Sequence, residues 1–181
     1  YRDQMPPESI YLRAIGTGKS ALGVVEQAIE AKLLLELDSG KTLDEVWVVF
    51  DKDDANLSQK NSIRFDDAFK KAEEEKFRVA YSNEVFELWL LLHLEDVDPN
   101  KPLPRSEIYL RLGQMVRQFP DFNSFEYEHG KTDIIDAIRR LGSETNAIAR
   151  AKMLQKHHGN QLPIDANPNT LVDRLVESLN G

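Results

Sequence analysis

The sequence predicts an α/β fold: a parallel-sheet core covered by helices, followed by a helical C-terminal extension. Three observations predict it. In the first half, apolar β-prone runs alternate with segments of helical periodicity. Beyond Asp98 the strand signals vanish and only helical stripes remain. The length of 181 residues suits one domain with an appendage better than two full domains. On this reading residues 1–98 form the α/β domain and residues 99–181 the helical extension packed on it.

The elements follow in order. Ile10 to Ile15, after Pro6-Pro7, reads as a short strand, and Gly16-Thr17-Gly18 as a turn. Ser20 caps a helix whose apolar positions Leu22, Val25, Ala28, Ile29 and Leu33 recur at helical spacing until Ser39-Gly40 stops it. Val46 to Phe50 is a continuous β-prone run, as expected of a central parallel strand covered on both faces. Phe65, Ala68, Phe69 and Ala72 mark a helix ending near Glu75, and Phe77 to Tyr81 a further strand. Ser82 or Asn83 is expected to cap a very apolar helix from about Val85 to His93. Asp96 to Arg105, with Pro99, Pro102 and Pro104, is a connector. Four helical stripes follow: Ile108 to Phe119, Ile134 to Leu141 after Thr132, Ala147 to Leu154, and Leu171 to Leu179 behind a cap at Asn169 or Thr170.

Composition narrows the function. With 41% apolar and 30% charged residues the chain folds rather than remaining disordered. The longest apolar runs, Val46–Phe50 and Leu88–Leu92, fall far short of the roughly 18 residues of a membrane span, so no membrane partner is expected. There is no cysteine, which removes disulfides, thiolate nucleophiles and zinc–cysteine sites and makes a reducing cytoplasm the default location. Against 31 acidic residues stand 23 Lys and Arg, a net charge of −8. That balance argues against a non-specific coat on nucleic acid, but not against an enzyme that handles DNA or RNA through metal ions. The chain opens Tyr1-Arg2-Asp3-Gln4, without an initiator Met or a signal peptide, and an N-terminal piece is expected to be missing.

Gly18-Lys19-Ser20 lies between a strand and a helix, where a phosphate-binding loop would sit. The full motif requires glycine five positions before Gly18, and that position is Arg13. A tight strand–helix turn with an exposed lysine explains the segment better.

The acidic cluster is more informative. Asp51 and Asp53 follow an apolar strand at the expected C-terminal edge of the sheet, and in an extended segment they project to one side. Clustered carboxylates repel one another, and a hard cation such as Mg²⁺ or Mn²⁺ relieves the repulsion. Asp-x-Asp is also common in solvated loops. Glu87 lies amid Phe86, Leu88 and Trp89, where an acid is expensive to bury unless paired or metal-bound, and its spacing from Ser82 and Asn83 does not make a capping box. His93 suits a packed or capping role, Trp47 and Trp89 read as core, and Lys19 or Lys52 is placed to meet a phosphate.

The stretches Val46–Asp53, Val79-Ala80-Tyr81-Ser82-Asn83 and Phe86-Glu87-Leu88-Trp89-Leu90-Leu91-Leu92-His93 resemble the RloB family, whose members carry a Toprim-like domain and are encoded beside bacterial restriction–modification and anti-phage genes. Asn167-Pro168-Asn169-Thr170 and the helix after it resemble the family's C-terminal end. The resemblance implies a Toprim-like α/β core with Asp51 and Asp53 as its Asp-x-Asp motif and Glu87 as a further acid. The glutamate that Toprim domains carry after their first strand has no counterpart, since Glu8 sits in a Pro-Pro-Glu lead-in; the domain is expected to lack its first strand.

The resulting expectation is a Mg²⁺- or Mn²⁺-dependent phosphodiester-cleaving protein of phage defence. In it Asp51, Asp53 and Glu87 serve as both metal ligands and catalytic groups, acting on DNA or RNA. The alternative is a non-enzymatic Toprim-like adaptor or regulator that binds a partner of a defence or restriction system, motivated by the acidic charge and the lack of a basic stripe. Either is compatible with a homo-oligomer.

Overall fold

A computed structural model describes residues 19–180. The strand expected over residues 10–15, Glu8, Arg13 and the Gly16-Thr17-Gly18 turn lie outside them.

Local signals place the first helix. Ser20 Oγ accepts from the Gly23 N–H at 3.3 Å, and α1 runs Ala21–Ser39. Gly40 ends it at φ 66°, the left-handed conformation that costs glycine nothing, with its N–H on Glu36 O at 3.0 Å. The apolar run Trp47–Asp51 then forms β1. Ser58 caps α2, Gln59–Glu74, through the Asn61 N–H at 3.2 Å, and Arg78–Asn83 forms β2. β1 and β2 pair in parallel, from Trp47 opposite Arg78 to Asp51 opposite Ser82. Such pairing requires a crossover, which α2 supplies.

The helical half contains α3 (Glu87–Leu92), α4 (Arg105–Arg117), α5 (Asp133–Leu141) and α6 (Glu144–His158). Between α6 and α7 (Val172–Asn180) the two residues Asn169–Thr170 form β3, antiparallel to β2. The order β1-β2-β3 makes the sheet mixed. The α/β core followed by a helical extension is the expected architecture. Two residues carry no periodicity, so β3 left no mark in the sequence.

Two apolar cores result. One gathers Val25, Val48, Phe50, Phe65, Ala68, Ala72 and Tyr81, with Phe50, Phe65 and Phe69 packed edge to face at 5.2–5.9 Å. The other joins Leu88, Leu91 and Leu92 of α3 to Ile108, Leu112, Ala147, Leu154 and Val176 of the extension. No helix among the described residues is long and apolar enough to cross a membrane.

Four local expectations change. Ser82 and Asn83 are not a helix cap: pairing with Thr170 and Asn169 prolongs β2 through both, and α3 begins only at Glu87 without a side-chain cap. Val49 is 42% exposed, so among the described residues one face of β1 is covered only in part. Trp89 is buried, whereas Trp47 is half-buried beneath the Arg78 guanidinium. Leu33 faces solvent, because α1 spreads its apolar and charged residues round the whole helix and only the side with Ala21, Val25 and Ala31 is buried.

Candidate functional site

The C-terminal ends of β1 and β2 bring the predicted acids to one edge of the sheet. Asp51 closes β1 opposite Ser82. Its carboxylate accepts the Phe86 N–H, and burial, reinforced by the charges of Asp53 and Glu87, pushes its pKa up to about 7. The next residue, Lys52, donates its N–H to Ser82 O at 2.9 Å, and Asp53 donates to Glu84 O at 3.0 Å. These two bonds carry the chain past the strand into a turn. Asp53 sits there at φ 45°, which Asp tolerates better than most residues. The strand alternation that would align Asp53 with Asp51 is therefore broken.

Each acid has partners from the protein itself. Lys52, buried between the two aspartates, places Nζ 2.7 Å from Glu84 Oε1. Asn167 Nδ2 donates to the same oxygen at 3.2 Å. Arg105, the first residue of α4, reaches back to pair with Asp54, and its guanidinium lies 4.0 Å from both Asp53 Oδ1 and Glu84 Oε2. A cation at a helix N-terminus opposes the helix dipole, so what holds Arg105 there is this set of carboxylates. Glu87 begins α3, buried, and its Oε1 accepts from the Tyr127 hydroxyl and lies 3.0 Å from His129 Nδ1. Tyr109 stacks on Tyr127 with ring centroids 5.1 Å apart and lies 5.4 Å from the His129 ring. Burial, together with the nearby Glu87 carboxylate, pushes Tyr109 up to about 12 and Tyr127 higher still.

This geometry corrects the expectation of a magnesium-dependent nuclease. Among the described residues there is no group of three or more His, Asp or Glu side chains placed to hold a metal ion. The physical reason is visible at each acid. Asp51 is drawn under the Phe86 amide, Asp53 turns away beside Arg105, and Glu87 is engaged by a phenol and an imidazole. The Lys52 ammonium and the Arg105 guanidinium sit on the neighbouring Glu84 and Asp54.

Lys52 is likewise spent on Glu84 and presents no ammonium to a phosphate, whereas Lys19 is exposed. His93 directs Nδ1 to Trp89 O at 2.9 Å and packs edge-on against the Trp89 ring, and burial holds its pKa below the usual histidine range.

Sequence reading missed Arg105, Tyr109, Tyr127 and His129. One signal was present for two of them: Glu126-Tyr127-Glu128-His129 alternates, which turns Tyr127 and His129 to one side. The Asn167-Pro168-Asn169-Thr170 segment ties the two halves together. Asn167 Oδ1 accepts the Leu103 N–H at 3.0 Å, Asn169 Nδ2 donates to the Tyr81 hydroxyl at 3.0 Å, and Thr170 Oγ1 donates to Tyr81 O and accepts the Val172 N–H at the start of α7.

A family model described as RloB-like protein matches residues 3–179. No match is found among curated proteins or among solved structures.

Proposed function

Because the chain belongs to the RloB-like protein family, we propose that it is a non-enzymatic Toprim-like adaptor or regulator that binds a partner of a bacterial defence or restriction system. The observation that carries this reading is the use of the carboxylates: at the sheet edge where a Toprim enzyme would do chemistry, Glu84 is tied to Lys52, Asp54 to Arg105 and Glu87 to Tyr127 and His129, while Asp51 accepts the Phe86 amide. Such a network fixes the join between β1, β2, α3 and α4 and leaves the outer surface for recognition.

Partner recognition then falls to exposed surface, and contact with DNA or RNA would come through the partner. A cytoplasmic location fits a cysteine-free chain acting beside restriction components. The test is protection against phage in cells carrying the protein together with its neighbouring genes. Asp51→Asn/Asp53→Asn is expected to protect as well as the wild type, since Asn retains an acceptor for the Phe86 amide and tolerates the left-handed backbone at position 53. Loss of protection at unchanged protein level and melting temperature would overturn the proposal.

A further inference from the structure

Residues 124–132, which lead into α5, form neither helix nor strand. One face of α4 seats them, where Tyr109, Gly113 and Arg117 stand one turn apart. Tyr109 stacks on Tyr127, and Arg117 Nη1 donates to Phe125 O at 3.2 Å. The glycine between them lets the segment close in: a Cβ at position 113 would lie 3.6 Å from Tyr127 Cβ. Glu87 takes both polar groups that the segment brings to it, the Tyr127 hydroxyl and His129 Nδ1. Beneath them only 11% of the glutamate side chain is exposed.

We infer that residues 124–132 are a strap latched shut on Glu87, and that releasing the latch lifts the strap off α4 and bares Glu87 at the edge it shares with Asp51 and Asp53. The fastenings are few and gathered in one place. Within the segment, the Phe125 and Lys131 N–H groups bond to Phe122 O and Glu128 O at 2.9 and 3.2 Å, which ties the strap to its own turns and not to the body. Gly130 bends it at φ 85°, with open space where a side chain would be. Opening takes from the core only the half-buried Phe125 and Tyr127. Segments held by so few contacts open at the low end of the stability range. Because one carboxylate is the catch, a group that binds Glu87 only when it is bared shifts the strap to the open state. This inference does not depend on the adaptor reading.

Relaxation-dispersion NMR of the purified protein tests it. The expected result is one shared exchange process for the backbone amides of residues 126–131 and of residue 87, with the open state as the minor population. Glu87→Gln keeps an acceptor but loses the charge, and should raise the open population about five- to tenfold; Tyr127→Phe should move it the same way. The chain has no cysteine of its own, and Gly113→Cys/Tyr127→Cys sets two Cβ atoms within disulfide range. Oxidising that pair should abolish the exchange, and reducing it should restore it. Exchange absent from the wild type and from both latch variants, a rate at residue 87 unlike that of the strap, or exchange that survives oxidation would each overturn the inference.

Discussion

Lys52 Nζ and Glu84 Oε1 stand 2.7 Å apart, with only 4% of the lysine side chain and 16% of the glutamate side chain exposed. Lys52 directly follows β1 and Glu84 lies just before α3, so the pair ties the two segments together. Removing one member of a buried pair leaves the other charge uncompensated, at a typical cost of about 3–5 kcal/mol. Glu84 keeps Asn167 and the more distant Arg105, so Lys52→Met should destabilise the protein by less, about 2–3 kcal/mol. Lys52→Met/Glu84→Gln should lose less than the sum of its single changes. Urea unfolding of the four proteins gives the coupling energy, and simple additivity would show that the pair does not act as one.

Asp51 makes stability depend on pH. Its folded pKa of about 7 lies above the ordinary 3.8, so between those values the folded state holds a proton that the unfolded chain has released. Stability should therefore fall as pH rises through this window and level off above about 7. The full effect is on the order of 4 kcal/mol, reduced by whatever water reaches the carboxyl. Asp51→Asn should remove this slope, leaving stability near pH 4 almost unchanged and raising it at pH 8. Melting curves across pH decide, and an Asn variant less stable than wild type at pH 8 would show that the ionised form is the preferred one.

Burial and the Glu87 carboxylate together hold the Tyr109 and Tyr127 hydroxyls in their neutral state. Burial first, and then the second negative charge that ionisation would place beside the Glu87 carboxylate, raise both Tyr109 and Tyr127 above the ordinary 10. An alkaline titration of tyrosinate absorbance should show these two ionising late, together with Tyr81, which burial pushes up to about 12. Glu87→Gln should bring Tyr109 and Tyr127 down and leave Tyr81 in place. Separately, Tyr127→Phe should cost about 1–3 kcal/mol by removing a donor from a buried acid.

Gly142 joins α5 to α6 beneath α3, where the next residue, Ser143, donates its N–H to His93 O at 3.1 Å. A Cβ at position 142 would lie 2.8 Å from both His93 Cβ and the Ile138 carbonyl oxygen. One of these is backbone, and both are held by the helices. Gly142→Ala should therefore lower stability by about 1–3 kcal/mol, through crowding rather than backbone dihedral strain, since φ there is −84°. A neutral substitution by thermal melt would mean that the α3–α5 contact yields.

What the sequence revealed follows how far each signal reaches along the chain. Ser20, Ser58 and Gly40 act on their own helix ends, and the apolar run at Trp47–Asp51 is a strand by its own content. Ser82 and Asn83 have polar side chains suited to a cap, yet pairing with two residues almost ninety positions later prolongs the strand. Leu33 falls on the apolar stripe by spacing yet faces solvent, because α1 distributes apolar and charged residues all round and offers no unique buried face. At the site, Asp51, Asp53 and Glu87 do come to one edge, as adjacency to the strands predicts. Arg105, Tyr127 and His129 arrive from the connector and the loop before α5, and nothing local to the acids announces them. The cluster thus reads as a cation site in sequence, and folding surrounds it with Lys52, Arg105, Tyr127 and His129 on Glu84, Asp54 and Glu87.

The most direct measurement is a cleavage assay of the purified protein with supercoiled plasmid, single-stranded DNA and RNA, in Mg²⁺ and in Mn²⁺, beside Asp51→Asn/Asp53→Asn. With Asp51 held under the Phe86 amide, Asp53 turned beside Arg105 and Glu87 engaged by Tyr127 and His129, both proteins should leave every substrate intact. Turnover by the wild type that disappears in the double variant would contradict the non-enzymatic reading and return the aspartates to chemistry.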